Sequence, residues 1–140
     1  KELRRYVRDR CVFHRCRLTR GGTSEGGHRQ WTQATLYDNI TETENSSINL
    51  FNRGDAGSSH GWGCVHSMVW DFNGTIEVQK PPTGQNYAVS PRGRKVASFR
   101  NAGAEGSVEI MPQVLTPASL YEAQLCDRLR HPSGSGSPGR

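Results

Sequence analysis

The sequence predicts an all-β fold, a parallel β-helix or solenoid of short strands that ends in a C-terminal capping α-helix. The main observation is a short phrase written three times: Cys11-Val12-Phe13-His14-Arg15-Cys16, Thr35-Leu36-Tyr37-Asp38-Asn39-Ile40 and Met68-Val69-Trp70-Asp71-Phe72-Asn73. Each copy sets an aliphatic residue directly before an aromatic one, and Phe13, Tyr37 and Trp70 stand 24 and 33 residues apart. A self-similar period of about 20 to 35 residues marks units that stack on one another. The second observation is the composition: 16 glycines and a hydrophobic fraction of 33% suit short strands and many turns better than a helical bundle. The third is a change of pattern near the C-terminus, from strand-like alternation to helical spacing.

Taken in order, each phrase opens a unit of strand, turn, strand and break. After residues 35–40 a polar turn leads to Ile48-Asn49-Leu50-Phe51-Asn52, which breaks at Arg53-Gly54. After residues 68–73 the turn Gly74-Thr75 leads to Ile76-Glu77-Val78-Gln79, which breaks at Lys80-Pro81-Pro82. Ile48 and Leu50 match Ile76 and Val78, the alternation of a half-buried strand. A third strand per unit is expected around residues 64–66 and again at residues 87–89. Stacking then puts Phe13 beneath Tyr37 beneath Trp70, and Leu50 beneath Val78. A β-sandwich, the competing fold, predicts turns every 8 to 12 residues without recurrence of a phrase.

From Pro117 to Arg130 the pattern is helical. Tyr121, Leu125 and Leu129 stand at i, i+4 and i+8, Glu122 follows Ser119 by three residues, and basic residues close the run. The expected organisation is therefore β-helix coils over 1–116, N-terminally truncated with further coils upstream, a capping helix over 117–130 that covers the last coil, and a disordered Ser/Gly/Pro tail over 131–140.

The net charge of +5 is local. Residues 1–20 carry eight Lys or Arg (Lys1, Arg4, Arg5, Arg8, Arg10, Arg15, Arg17, Arg20) against Glu2 and Asp9, a net of +6, so the other 120 residues sum to −1. Such a segment suits an acidic polysaccharide, an anionic membrane or nucleic acid. No basic-aromatic interleaving or zinc-finger spacing supports nucleic acid, which is not expected as a partner. A membrane is not expected either, because the mean hydropathy is −0.73 and no apolar run approaches the roughly 18 residues a spanning helix needs.

Four cysteines, at 11, 16, 64 and 126, are too few for a disulfide scaffold. On a strand, Cys11 and Cys16 point to opposite faces and do not bond. Cys11-x-x-His14-x-Cys16 lacks the paired C-x-x-C spacing of structural zinc sites, so no metal is expected and the thiols are read as buried. Sequons at Asn39, Asn45 and Asn73 are acceptors only in a eukaryotic secretory pathway.

Chemistry concentrates in two loops, Gly26-Gly27-His28-Arg29-Gln30-Trp31 and Arg53-Gly54-Asp55 through Ser58-Ser59-His60-Gly61-Trp62-Gly63. Both carry His followed closely by Trp. His28 and His60 are the acid/base candidates, since imidazole moves protons near neutral pH. Arg29 and Arg53 offer bidentate hydrogen bonds to a carboxylate, and Trp31 and Trp62 offer flat faces to sugar rings. Against these stand plainer readings: a Trp packed beside Gly, a His tying down backbone, and Arg53-Gly54-Asp55 as a solvated turn rather than an adhesion tripeptide. Asp55, Ser58, Ser59 and His60 lie close, but no Gly-x-Ser-x-Gly elbow accompanies them. Asn39, Asn52 and Asn73 each follow a strand piece and are expected to close turns through their side chains.

The run Gly27-His28-Arg29-Gln30-Trp31-x-x-Ala34-Thr35-Leu36-Tyr37-Asp38-Asn39-Ile40, with Asn52-Arg53-Gly54, His60-Gly61-Trp62, Val69-Trp70, Val78-Gln79-Lys80-Pro81-Pro82 and Gln85-Asn86-Tyr87-Ala88-Val89, resembles the C-terminal part of pectate-lyase-like right-handed parallel β-helix proteins. The residues 119–129 are similar to their closing helix. The resemblance implies an extracellular or cell-surface, carbohydrate-active protein that binds a polysaccharide and, in the lyase or hydrolase reading, cleaves an acidic one. In such lyases a base takes the proton α to a uronate carboxylate while Ca²⁺ or Arg offsets the developing charge. This chain offers no carboxylate cluster suited to the six to eight oxygen ligands of Ca²⁺, so no cofactor is expected from its own residues, and Ca²⁺ belongs to the full-length protein if anywhere. The alternative is a non-catalytic β-helix serving adhesion or glycan binding.

Overall fold

The computed structural model describes residues 10–19, 23–27, 31–42, 47–97 and 103–131. Its strands are β1 (Val12–His14), β2 (Arg17–Leu18), β3 (Thr23–Glu25), β4 (Thr32–Gln33), β5 (Leu36–Glu42), β6 (Ser47–Leu50), β7 (Cys64–Val65), β8 (Met68–Asn73), β9 (Thr75–Val78), β10 (Tyr87–Ser90), β11 (Arg94–Lys95) and β12 (Ser107–Ile110). Helix α1 (Ala56–Ser59) interrupts them and α2 (Leu120–Arg130) follows them. One sheet has six strands in the order β1-β5-β8-β10-β12 with β2 also paired to β5; a second has four, β11-β9-β6-β3; a third has β4 and β7 alone. Every one of these strand pairs is parallel.

The expected fold class, a right-handed parallel β-helix with a C-terminal capping α-helix, is therefore corrected to three small parallel sheets with two helices. Among the described residues the third sheet holds only β4 and β7. The expected third strand at residues 87–89 is β10, which belongs to the six-stranded sheet between β8 and β12. From β9 the chain passes to β10 through a turn around Pro81, where the Gly84 N–H donates to the Pro81 carbonyl at 3.4 Å, without adding a strand to the third sheet. The aliphatic-aromatic phrase marks only three strands of this sheet because β10 and β12 lack it.

The aromatic stack is corrected as well. Phe13 pairs with Tyr37, but Tyr37 pairs with Val69 and Trp70 pairs with Asp38. The inward column runs Phe13, Tyr37, Val69, Ala88 and Val108. Side chains alternate between sheet faces, so a slip of one residue moves Trp70 to the outer face. Phe13 and Tyr37 do stack, with ring centroids 5.2 Å apart and planes 5° from parallel. In the second sheet Ile48 pairs with Ile76 and Leu50 with Val78, and all four side chains are buried in the core with Phe72 and Cys64.

The interior also carries polar groups that the backbone needs. Asn86 is fully buried; its Oδ1 accepts the Ser67 N–H at 3.0 Å, while its Nδ2 donates to the Cys64 carbonyl at 3.2 Å and the Gln79 carbonyl at 3.1 Å. One side chain thus ties β7 to the residue before β8 and the residue after β9. Gly27 and Gly63 meet nearby: a Cβ on Gly63 would lie 2.4 Å from the Gly27 carbonyl oxygen, and one on Gly27 just as close to the Gly63 oxygen. Only glycine permits that approach.

Two core groups are held protonated. Burial pushes the Cys64 thiol up to about 12. Burial, then the neighbouring Cys64 and Cys11 thiols, raises the Tyr37 phenol, whose hydroxyl donates to the Gly26 carbonyl. An acid whose pKa is raised by folding contributes stability that is complete below its unfolded value and is lost as pH climbs through the folded one. Urea midpoints should accordingly fall as pH rises from about 9 towards 12, and a flat alkaline profile would contradict the burial of both groups. Asn86→Ala strands buried backbone donors and acceptors and should cost about 3 kcal/mol in urea or thermal unfolding; a loss under about 0.5 kcal/mol would show that water replaces the amide.

Candidate functional site

Of the six residues expected to form a site, His28 and Arg29 lie outside the described residues. The other four come together. Trp31, with φ of +59°, donates its backbone N–H to the Trp62 carbonyl at 3.1 Å, and Arg53 donates its own to the Gly61 carbonyl at 2.7 Å. Asn52 and Trp62 form an antiparallel bridge, and the His60 ring packs where a Cβ on Gly57 would sit. All four side chains are half-buried. Arg53-Gly54-Asp55 is a turn in which the Arg53 carbonyl accepts the Ala56 N–H and the Asn52 side chain accepts the Gly54 N–H at 2.8 Å. Asn52 thus closes a turn as its position in sequence suggests.

A different constellation, spread over 77 residues of sequence, forms a basic surface feature. Arg15, Asn39 and Asp71 occupy equivalent corners of neighbouring strands, all left-handed, with φ of +52°, +57° and +59°. Asn and Asp tolerate this conformation better than most residues. The left-handed residue resets the alternation, so Tyr37 and Ile40 both face inward although three residues apart. On the outside the same corner opens a groove of about 420 Å³ lined by Arg15, Cys16, Arg17, Asn39, Thr41 and Arg92. A second groove of about 430 Å³ shares Asn39 and Arg92 and runs on past Asp71 to Leu115 and Ala118.

The three arginines differ in their partners. Arg92 grips Asp71 through Nε at 2.9 Å and Nη2 at 2.8 Å, a bidentate pair. Arg15 Nη2 lies 2.9 Å from Glu122 Oε1 on α2. Arg17 is exposed and makes no ion pair with a described residue. Among the described residues the groove therefore presents Arg17 without an ion pair beside two arginines that are already engaged.

The segment leading into α2 lies along the rim. Asp38, fully buried, accepts from the Ser119 hydroxyl and the Tyr121 N–H, each at 2.7 Å, and from Asn39 Nδ2 at 2.7 Å. Trp70 Nε1 donates to the Pro117 carbonyl at 3.1 Å and Asn39 Nδ2 to the Ala118 carbonyl at 2.8 Å. The helix thus docks on β1 and β5, not on the last strand β12 as the capping expectation required. Its start is as expected: Ser119 is the N-cap and accepts the Glu122 N–H at 3.1 Å.

His14 Nε2 stands 3.3 Å from Ser119 Oγ and 3.7 Å from Glu122 Oε1. This set of serine, histidine and carboxylates is not a nucleophilic triad. Asp38 bonds the serine rather than orienting the histidine, and the hydroxyl is buried and spent on capping. Among the described residues no three His, Cys, Asp or Glu side chains are placed to hold a metal ion. All four thiols are free, with Cys64 buried, Cys126 exposed and Cys11 and Cys16 half-buried, so the reading of the thiols as buried holds fully for Cys64 alone. No described helix is long and apolar enough to cross a membrane.

The lysines and arginines at 1, 4, 5, 8 and 20, the sequon at Asn45 and the tail from 132 also lie outside the described residues. No protein-family model, curated protein or solved structure matches this chain. Asp38→Ala should release the start of α2, lowering stability by about 2 kcal/mol and raising amide exchange at residues 120–123; unchanged exchange there would show that the helix is anchored elsewhere.

Proposed function

We propose that the chain binds an acidic polysaccharide along the arginine-lined groove. The observation that carries the reading is the convergence of Arg15, Arg17 and Arg92 on one open surface that also offers the Asn39 amide and the Thr41 hydroxyl. Guanidinium groups match carboxylate or sulfate geometry with paired hydrogen bonds, and the neutral polar groups suit sugar hydroxyls. A polymer is favoured over a small anion because the groove is open and continues into its neighbour through the shared Asn39 and Arg92. Acidic polysaccharide is also the ligand class that the sequence resemblance implies. Such polymers are met outside cells, which accords with an extracellular or cell-surface protein.

The groups assembled in the groove serve binding, so binding is the primary reading and cleavage is a separate question for assay. Polygalacturonate and heparin should retard the protein in affinity electrophoresis, while neutral dextran should not. Arg17→Gln should weaken binding about three- to tenfold, with a smaller loss at high salt as screening takes over. Equal retardation by dextran, or an Arg15/Arg17/Arg92 triple glutamine variant that binds like the parent, would reject the reading. Formation of unsaturated or reducing ends during incubation would show cleavage in addition.

A further inference from the structure

We propose that Glu122 of α2 is an internal competitor for the groove, an anion built into the chain that an acidic polysaccharide must displace from Arg15. The inference rests on the binding function proposed above and concerns how that site is regulated. Both carboxylate oxygens of Glu122 lie against Arg15 Nη2, Oε1 at 2.9 Å and Oε2 at 3.0 Å. Arg15 is at the same time a wall of the groove. The carboxylate therefore occupies the guanidinium edge that an acidic sugar would use, with the same chemistry.

The helix is built to yield. No residue of α2 is fully buried, with Leu120, Tyr121, Ala123 and Leu125 half-buried, and its attachments include the Tyr121 N–H on Asp38, the Glu122 carboxylate on Arg15, and the Tyr121 ring tilted against His14 at 5.1 Å. The firmer anchor lies before the helix, at buried Leu115 and Ser119. Arg15 and Glu122 are both well exposed, at 65% and 45% of the side chain, and an ion pair of that kind is worth little and is readily exchanged for another. Asp71 holds Arg92 differently: it sits on strand β8 with only 15% of its side chain exposed, so it cannot swing away. A polymer engaging exposed Arg17 first would then meet Glu122 as the movable carboxylate and Asp71 as the fixed one. His14, 3.7 Å from Glu122, remains behind to face the incoming anion.

The test uses the full chain with polygalacturonate as probe, comparing the parent, Glu122→Gln and Asp127→Asn at low ionic strength by titration calorimetry. Asp127 is exposed on the same helix, so it supplies the same change of charge away from the groove. Glutamine keeps the helical propensity and length of glutamate, and thermal melts verify that both variants fold. Glu122→Gln should bind about two- to fivefold tighter than the other two, with the difference vanishing at high salt. Amide exchange over α2 in the parent should speed up when the polymer binds. Equal affinities of all three proteins, equal gains in both variants, or slower exchange over α2 on binding would each overturn the competitor. Absence of binding by all three would overturn the groove reading itself.

Discussion

In-register parallel pairing is the constraint on which the rest of the structure depends. The strands of the six-stranded sheet lay their residues directly over those of their neighbours, so a left-handed corner adopted at one position recurs along β1, β5 and β8. Arg10, Ala34 and His66 show this at one corner, with φ of +66°, +52° and +53°. Their N–H groups donate in succession to Gln33, Val65 and Gln85. Arg15, Asn39 and Asp71 show it at the other. A left-handed residue with a side chain costs of order 1 kcal/mol by itself. Here the backbone of a neighbouring strand fixes each one, and strain is distributed over pairings that would be lost together.

Fixing those corners determines what the outer surface can be. Immediately before the second corner stand His14, Asp38 and Trp70, whose side chains meet the C-terminal segment; at and after it stand Arg15, Asn39 and Arg17, whose side chains frame the groove. The same bend therefore separates a covered strip from an open one. Asn39 belongs to both, giving its Nδ2 to Asp38 and Ala118 while lining both grooves. Substitutions at this one position bear on docking of the helix and on the shape of the groove together.

What could be read in the sequence follows from this geometry. The alternation of Ile48 and Leu50 against Ile76 and Val78 is local, and β6 and β9 pair as it indicates. Ser119 and Glu122 announce the start of α2 because capping is settled within four residues. Matching aromatic to aromatic misplaced Trp70, because register is decided by which residues can go inward, and Val69 takes that place beneath Ala88. β12 was not signalled and β10 was expected in another position, because neither carries an aliphatic residue directly before an aromatic one. The groove was not legible at all. Arg15 and Arg17 belong to the basic N-terminal segment and Arg92 lies 75 residues beyond Arg17, and only the sheet pairing brings them to one surface. The destination of α2 was equally hidden, since a cap and a helical stripe say nothing of what the helix will meet.

The contact between Arg15 and Glu122 joins residues 107 apart in sequence, and Ser119 meets Asp38 across 81. Strands that bind only their immediate neighbours can peel away one at a time from either edge. Here the segment that leads into α2 is tied to β1 and β5, so loosening of that segment is felt at the first strands of the main sheet. The ring of contacts converts a stack that could fray into a unit whose edges open together. Movement of α2 at the groove would then reach β1, the edge strand whose Phe13 ring packs on Tyr37, and the order of that edge becomes a property shared by β1 and α2.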